Sequence, residues 1–262
     1  MRRIKLIIAY DGTNYCGWQI QPTGKSIEGC INKAVSELTG EDIHVIGASR
    51  TDSGVHAMGN VAVFDTESRI PGEKFAYAIN QRLPEDIRIS ASEETDISFH
   101  PRKADCIKTY RYTIFNERIE DPLRRLYAHF CYYPLNIEKM REAASFLLGE
   151  HDFRSYTNPD SQVLIEGGSS VREIYSINIE AEHDRRYIGK GHYGLITVTI
   201  RGNGFLYNMV RIIVGTLLRV GTGLYEPEHI KTITEARDRQ AAGPTAPARG
   251  LCLMGLDYGD EK

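Results

Sequence analysis

The chain has 262 residues, of which 41% are hydrophobic and 26% are charged, and its formal net charge is −3. This length and composition indicate one large globular domain or two smaller fused ones, and they exclude a disordered chain. The net charge provides no long-range attraction to nucleic acid, but the 32 Lys and Arg residues could be gathered on one face. Net charge alone therefore does not exclude an RNA substrate.

The cysteines and the apolar stretches indicate a cytoplasmic protein. An odd number of cysteines without C-x-x-C spacing indicates neither a disulfide framework nor a zinc site, and a reducing cytoplasm is the simplest location. The start, MRRIKLIIAYDG, is unlike a signal peptide because Lys5 and Asp11 bound a short apolar run. The most apolar stretch, residues 205–220, is too short and too often interrupted by polar residues for a transmembrane span.

The first half of the chain predicts the order β-α-β-β-α-β. A strand is predicted over residues 3–10, and apolar residues then recur at helical spacing from Ile27 to Leu38, behind Ser26 as the N-cap. The other predicted elements are strands over 43–49 and 60–66, a helix over 72–83 ended by Pro84, and a strand over 87–93.

The second half repeats this order loosely. The predicted elements are strands over 106–116 and 126–134, a helix over 137–148, a hairpin over 171–182 and 193–203, helices over 205–220 and 226–239, and a strand over 250–258. The hairpin loop contains Asp184, Arg185 and Arg186, and residues 241–250 suggest an irregular, mobile connector. We predict an α+β fold of two similar halves, residues 1–103 and 104–262.

The segment ASRTDSGVHAMGN, residues 48–60, contains the first candidate for chemistry. Spacing alone favours an ordinary turn, because Asp and Ser bind local N–H groups and Gly accepts positive φ. A loop that follows a strand also suits a reactive Asp52, which could act as a nucleophile or base without a cofactor. For His56 a structural role is favoured over a direct one. No His, Cys or Asp spacing indicates a metal site.

Two further segments allow two interpretations each. KTYRY, residues 108–112, places Tyr110 and Tyr112 on one face of a strand, either as a core-facing pair or as a platform on which an RNA base stacks. Small or polar residues form a stripe on the apolar helix: Gly204, Asn208, Arg211, Gly215 and Arg219. The stripe is either solvated, or its glycines let another chain segment or a ligand come close.

The chain contains, in this order, the motifs YDGTNYCGWQIQP, SRTDSGVHAMGN, NQRLPEDI, SFHPRKADCIKTYRYTI, GEHDFRSY, SSVREI, GNGFLYNMVRIIVG and APARGLCL. Together they resemble the TruA-type tRNA pseudouridine synthases over nearly the whole chain. The family pattern around the carboxylate is G-R-T-D-A-G-V-H-A-x-G-Q. Ser49, Ser53 and Asn60 depart from this pattern, while the R-T-D core is intact.

The resemblance implies a pseudouridine-synthase-like mixed sheet flanked by helices, with a central cleft. It implies an isomerase that converts uridine to pseudouridine in the anticodon arm of tRNA, at positions 38, 39 and 40. The enzyme would be a homodimer and would need no metal, nucleotide or redox cofactor. Neither DNA nor a membrane is implied as a partner.

The resemblance also implies roles for particular residues. Asp52 would be the catalytic aspartate, and Arg211 would be a basic partner of its carboxylate. Tyr110 would stack on the target base, and Arg50 would fill the space that the flipped nucleotide leaves. Basic residues that could bind RNA are Arg102, Lys103, Arg111, Arg124, Arg125 and Arg154.

Two other functions compete with this interpretation. Two α+β halves with exposed aromatic residues could form an RNA-binding module that does no chemistry. An aspartate-dependent hydrolase could cleave a glycosidic bond, although the motif shows no paired acid for that reaction.

Overall fold

The computed structural model describes residues 1–183 and 192–259, and it divides into two compact units. The first unit comprises Met1–Cys106 together with the C-terminal strand from Cys252, and the second comprises Ile107–Leu251. The boundary between residues 103 and 104 that the sequence suggests lies close to this division. The last strand of the chain pairs in the first unit, so this unit is built from two separate segments. The predicted division into two continuous halves did not include this.

The first unit is a mixed sheet with two helices. Its elements are β1 (Arg2–Tyr10), α1 (Ile27–Thr39), β2 (Ile46–Gly47), β3 (His56–Thr66), α2 (Phe75–Asn80), β4 (Ile87–Thr95) and β10 (Leu251–Asp257). The strand order is β4-β1-β3-β10, with β1 antiparallel to β3 and β4, and β10 parallel to β3. The predicted order β-α-β-β-α-β is confirmed.

Local sequence explains where α1 begins and ends. Ser26 Oγ accepts a hydrogen bond from Gly29 N at 3.2 Å, which confirms Ser26 as the N-cap. Gly40 ends the helix in the left-handed conformation, with φ 76°. The helix then buries one face in the core of the unit, where the side chains without exposed surface include Ile4, Leu6, Ile8, Ile27, Ile31, Phe75 and Ile79.

The strand predicted over residues 43–49 is almost absent, since only Ile46–Gly47 pairs with β3. Side chains of α1 take the place of a neighbouring strand. They accept hydrogen bonds from Ile43 N at 3.0 Å and from Val45 N at 2.9 Å. The apolar side chains of Ile43 and Val45 are buried, as they would be in a strand. Their backbone N–H groups, however, bind side chains of a helix instead of a neighbouring strand.

Two other elements of the first unit differ in length from the prediction. β3 begins at His56 instead of residue 60, because both β1 and β10 pair with its first residues. The helix predicted over 72–83 consists of a 3₁₀ turn at Gly72–Lys74 followed by α2, and it ends before Pro84 as predicted.

The second unit is a largely antiparallel sheet with four helices in its described part. Its elements are β5 (Ile107–Asn116), β6 (His129–Cys131), α3 (Ile137–Ser145), β7 (Gly149–Asp152), α4 (Gln162–Ile165), β8 (Val171–His183), β9 (Gly194–Gly202), α5 (Met209–Gly221) and α6 (His229–Ala236). The strand order is β5-β9-β8-β7, and β6 pairs in parallel with β5. Each unit thus combines a mixed sheet with helices, and the predicted α+β class is confirmed.

Several elements of the second unit differ from the sequence prediction. β6 is shorter than the strand predicted over 126–134, because the Asn116 side chain donates to Cys131 O at 3.0 Å and to Tyr133 O at 2.8 Å. β7 and α4 were not predicted. The predicted hairpin is present as β8 and β9, and its loop with Asp184, Arg185 and Arg186 lies outside the described residues.

The apolar helix begins later than predicted, at Met209 instead of Phe205, because Asn208 has a left-handed backbone with φ 61°. The mobile connector predicted over residues 241–250 is also not what the structure shows, because this segment is bound to α5. Gly243 N donates to Thr216 Oγ1 at 2.9 Å, so this part of the chain lies along α5. A Cβ on Gly215 would collide with Pro244 O. Gly215, on the predicted stripe, therefore lets another chain segment come close. The sequence left open whether the stripe does this or is simply solvated.

Two further findings bear on the predictions from composition. None of the five cysteines, all of which the structure describes, takes part in a disulfide. Among the described residues, no helix has the length and apolar character that crossing a membrane requires.

Candidate catalytic site

The site residues predicted from the sequence are divided between the two units. Asp52 and Arg50 lie in the first unit, and Tyr110 and Arg211 lie in the second. Asp52 and Arg211 are half-buried, Arg50 is exposed, and Tyr110 is 9% exposed. The candidate carboxylate and the candidate stacking ring are each supported by a separate set of packed elements.

Asp52 lies in a turn that leads into β3. Ala48 N still donates to Val61 O at 2.7 Å, and the chain then leaves the sheet until β3 begins at His56. Val55 N donates to Asp52 O at 3.1 Å and closes the turn. The turn predicted from the T-D-S-G sequence is confirmed. It places Asp52 in a loop beside a strand, where scaffolds commonly display reactive groups.

The loop over residues 11–18, which contains the Y-D-G-T-N-Y-C-G-W motif, supports this turn. Its Tyr15 carbonyl accepts two hydrogen bonds from the turn, from Ser53 Oγ at 3.1 Å and from Gly54 N at 3.4 Å. Trp18 N donates to a carbonyl of the same turn at 3.0 Å. Two motifs that are separate in sequence therefore form one hydrogen-bonded structure around Asp52.

Gly17 is a point of close approach between the loop and the Asp52 turn. Its φ is 109°, and a Cβ at this position would lie 2.7 Å from Thr51 O and 3.2 Å from the Asp52 carbonyl carbon. These neighbours are backbone atoms, which cannot rotate away as a side chain can. Glycine is needed here both for its conformation and for the space.

A third motif, N-Q-R-L-P-E-D-I, joins the same structure through Asp86. Tyr15 Oη donates to Asp86 Oδ1 at 2.5 Å, and Asp11 N donates to Asp86 O at 2.9 Å. Burial, and then the Asp86 carboxylate, raise the pKa of the Tyr15 phenol. The phenol therefore keeps its proton at neutral pH and remains a donor that holds the loop.

The side chain of Asn60 fixes the chain just before the turn. It has no exposed surface, and its Oδ1 accepts from Ser49 N at 3.3 Å and from Val61 N at 3.0 Å. Its Nδ2 donates to Ser49 O at 3.0 Å and to Tyr10 Oη at 3.3 Å, and Tyr10 Oη is 2.7 Å from Thr51 Oγ1. The amide thus uses both its donors and both its acceptor positions. It binds Ser49 directly and connects to Thr51 through Tyr10, and these two residues flank Arg50.

His56 is buried beside the 11–18 loop. Its Nδ1 lies 3.1 Å from both Gly12 N and Asp11 Oδ1. One nitrogen cannot accept from the first and donate to the second at once: Nδ1 without a hydrogen accepts from Gly12 N, and Nδ1 with a hydrogen donates to Asp11 Oδ1. Both bonds attach the start of β3 to the loop. The structural role favoured from the sequence agrees with this position.

In the second unit, Tyr110 and Tyr112 both face the buried side of β5, while Arg111 between them is exposed. Tyr112 has no exposed surface, and its hydroxyl donates to Pro247 O at 2.8 Å. The core-facing interpretation is therefore confirmed for Tyr112. Tyr110 retains a small exposed area, and its ring meets the ring of Phe205 edge to face at 5.2 Å.

Arg211, in the first turn of α5, is held by two acceptors. Its Nε donates to Ala246 O at 2.7 Å, and its Nη1 donates to Asn208 Oδ1 at 2.6 Å. The main chain adds a third bond, from Ala246 N to Arg211 O at 3.1 Å. The guanidinium is thus oriented by the segment over residues 243–246 and by the residue before α5.

The surroundings of Tyr112 carry positive charge. Burial raises the pKa of its hydroxyl, and the nearby cations Arg211 and Arg249 oppose this shift. Burial, and then Arg249, lower the pKa of His129 to about 4. At neutral pH this part of the second unit therefore contains a neutral imidazole and permanently charged guanidinium groups, an environment suited to an anionic ligand.

Most of the basic residues proposed for RNA binding are available at the surface. Those that are exposed are Arg102, Lys103, Arg111, Arg125 and Arg154. Arg124 is half-buried, and it contacts Asp121 at 3.3 Å and lies over the ring of Phe115. Within residues 1–183 and 192–259, no group of three or more His, Cys, Asp or Glu side chains is arranged to hold a metal ion.

Sequence reasoning missed Tyr15, Asn60 and Asn208 as supports of the candidate residues. A weak signal exists for Asn60, which is a polar residue at the start of the apolar run N-V-A-V-F. No local signal marks Tyr15, because its contacts depend on how three distant segments come together. For Asn208, the sequence suggests a helical position on the polar stripe, whereas the structure places it outside the helix with φ 61°.

Comparison with known proteins identifies relatives over nearly the whole chain. The model of a tRNA pseudouridine synthase family matches residues 6–102 and 143–259. A tRNA pseudouridine synthase A of Brevibacillus brevis is 44% identical over 98% of this chain and 100% of its own length. Proteins of the same name from Acetivibrio thermocellus and Ruminiclostridium cellulolyticum are each 46% identical, again over 98% of this chain and 100% of their own length.

The close approach at Gly17 generates a prediction that can be tested without a substrate. Gly17→Ala should lower the free energy of unfolding by at least about 1 kcal/mol more than Gly40→Ala. Both glycines have positive φ, but a Cβ on Gly40 meets nothing within 4 Å. The difference between the variants therefore reports the collision with the turn together with the larger φ of Gly17.

Urea unfolding, followed by the fluorescence of the single tryptophan, Trp18, would measure both variants. Amide hydrogen exchange at Gly54 and Val55 should accelerate in Gly17→Ala only, since their bonds close and attach the turn. Equal losses in the two variants, with unchanged exchange, would show that the 11–18 loop does not hold the turn.

Proposed function

We propose, since the chain belongs to the tRNA pseudouridine synthase family, that it isomerises uridine to pseudouridine at positions 38, 39 and 40 of the tRNA anticodon arm. The C1′–N1 bond breaks, the uracil rotates, and a C1′–C5 bond forms while C5 loses a proton and N1 gains one. Atoms and electrons balance without an oxidant or a reductant. The observation that carries the proposal is the Asp52 turn, held in place by three of the motifs that define the resemblance.

Asp52 would supply the carboxylate for this reaction. It is half-buried, and the hydrogen bonds around its turn fix the backbone on both sides of it. A group that is already oriented loses little freedom when the substrate binds, and this lowers the barrier. As a nucleophile or as a base, the carboxylate must be ionised, so a nearby cation would favour the reactive form.

Tyr110 would receive the target base. A uracil in a stacked arm is not accessible, so it must be flipped out at a cost of a few kcal/mol. Stacking on an aromatic ring recovers about 1–3 kcal/mol per base. The ring of Tyr110 is fixed edge to face by Phe205, and the 9% of its surface that is exposed would be the part that meets the base.

The two arginines would have different roles. Arg50 is exposed next to the turn, as expected of a side chain that enters the space left by the flipped nucleotide. Arg211 would be the cation that keeps the Asp52 carboxylate ionised. Its guanidinium is always charged, and Asn208 and Ala246 hold it through neutral acceptors, which orient the group without adding a negative charge.

The surroundings and the assembly complete the proposal. Exposed arginines would bind tRNA phosphates, and the charged Arg249 would add positive potential near the base site. We also propose that the protein acts in the cytoplasm as a homodimer and needs no cofactor, as the resemblance implies.

Replacement of the proposed catalytic carboxylate is the primary test. Asp52→Asn should abolish pseudouridine formation on unmodified tRNA, while the Kd for tRNA changes by less than about tenfold, or about 1.4 kcal/mol. Pseudouridine would be detected by carbodiimide labelling. Asp96→Asn is the matched control, because Asp96 is an exposed turn aspartate of the same unit that binds Ser98. Turnover by Asp52→Asn close to that of Asp96→Asn would remove Asp52 from the chemistry.

The role of Arg211 requires a separate variant. Arg211→Leu should lower kcat by at least about tenfold, with a smaller effect on tRNA affinity, because the charge acts on the carboxylate. Loss of the cation makes ionisation harder, so the acidic limb of the pH–rate profile should move to higher pH. The control is Arg219→Leu, on the same helix but exposed. Normal turnover by Arg211→Leu would contradict the proposed role.

Light scattering tests the assembly. The mass at micromolar concentration should be twice that of the 29.6 kDa chain. A fully active protein with the mass of one chain would contradict the homodimer, and it would leave the proposed chemistry unaffected.

A further inference from the structure

We infer that Asn208 is a positioning residue, which sets the orientation of the Arg211 guanidinium and acts on the reaction only through it. The inference rests on the role proposed for Arg211. Three independent features of the second unit point to it: the backbone of Asn208, the use of its side chain, and the opposite anchor of Arg211.

The backbone of Asn208 adopts an unfavourable conformation. Its φ is 61° and its ψ is 3°, in the left-handed region. Among the described residues other than glycine, only Asn208 and Arg237 have positive φ. Such a conformation costs about 1 kcal/mol and persists only where the surrounding contacts require it. Asn is one of the few side chains that tolerate this region.

The side chain of Asn208 is not used in the way usual for its position. An Asn before the first turn normally has an extended backbone and caps an N–H of that turn. Here it makes no capping bond, although its carbonyl accepts the first helical bond from Ile212 N at 2.9 Å. Its Oδ1 instead accepts from Arg211 Nη1 at 2.6 Å. Because a guanidinium only donates, the side-chain atom facing it must be the oxygen.

The second anchor of Arg211 is itself held in place. The acceptor of its Nε is Ala246 O, in the segment over residues 243–246. Gly243 N is bound by Thr216 of α5, and Pro247 O is bound by the buried hydroxyl of Tyr112. The segment is therefore fixed on both sides of Ala246.

Two acceptors on different edges of a planar group determine the direction of its remaining N–H groups. Ala246 O holds the Nε edge and Asn208 Oδ1 holds Nη1. Loss of the side-chain acceptor would leave the charge in the unit but would remove one of the bonds that fix the plane of the guanidinium. A misoriented charge should affect the chemical step more than the binding of tRNA.

A purely structural role would give a different result. The same bonds could serve only to attach the start of α5 to the segment over 243–246. In that case removal of the amide should lower the stability of the fold, and activity should fall only in proportion to the unfolded fraction.

Glycine and aspartate substitutions separate the two roles. Asn208→Gly fits φ 61° without strain and removes the acceptor. It should lower kcat at least about fivefold, with KM for tRNA within about twofold and an unchanged midpoint of thermal unfolding. Asn208→Asp keeps an oxygen in the same place and also tolerates left-handed backbone. It should keep kcat above that of Asn208→Gly because the guanidinium stays oriented. Its carboxylate offsets part of the Arg211 charge, however, so the acidic limb of the pH–rate profile should move to higher pH.

The double variant tests whether Asn208 acts through Arg211. Asn208→Gly added to Arg211→Leu should cause no further loss in kcat, because the group being oriented is already absent. Additive losses would overturn the inference, and so would normal kcat in Asn208→Gly or a fall in its unfolding midpoint that accounts for the lost activity. If Arg211→Leu alone is fully active, the proposed function of Arg211 fails first, so the two failures are distinguishable.

Discussion

The contact between the Asp52 turn and the 11–18 loop is the constraint on which the rest of the candidate site depends. At Gly17 the two backbones lie so close that no side chain fits between them. The loop can therefore approach far enough for Tyr15 O to accept from two groups of the turn, and for Tyr15 Oη to reach Asp86. Moving the loop away would break all these bonds together, which couples the position of the carboxylate to the packing of the whole first unit.

Two of the departures from the family pattern, Asn60 and Ser53, form side-chain hydrogen bonds in this setting, whereas Ser49 contributes its main chain. Ser49 and Asn60 meet in space, because the Asn60 amide bonds both the N–H and the carbonyl of Ser49. To form these bonds, the amide of residue 60 must lie next to the backbone of residue 49. The length of the side chain at position 60 therefore determines how far away the backbone at position 49 can be. Ser53 instead uses its hydroxyl to bond the Tyr15 carbonyl. All three changes leave the R-T-D core in place.

The sequence predicted the class of fold and most of its elements, because apolar periodicity and caps are local properties. Ser26 and Gly40 mark α1 in this way. The length of β6 was predicted wrongly because the Asn116 side chain, instead of a neighbouring strand, binds the backbone at and after its end. Hydrogen bonds of this kind join residues that are distant in sequence. The same reason explains the candidate site. Asp52, Tyr110 and Arg211 could be proposed from motifs, whereas the contacts of Tyr15, Asn60 and Asn208 with their neighbours become visible only when the chain is folded.

The two units hold their candidate residues by a common means, in which main-chain carbonyls accept hydrogen bonds. Tyr15 O and Thr51 O serve the Asp52 turn, and Ala246 O serves Arg211. A substitution does not remove a carbonyl, so the vulnerable positions are those that let the carbonyl come near. They include Gly12 and Gly17 in the first unit and Gly215 in the second, where an added Cβ would collide with backbone oxygen. Charged partners would have competed with the ionic chemistry of the site, whereas neutral carbonyls orient a group and leave its charge unchanged. Sensitivity to substitution should therefore be concentrated at small residues and amides that themselves take no part in the reaction.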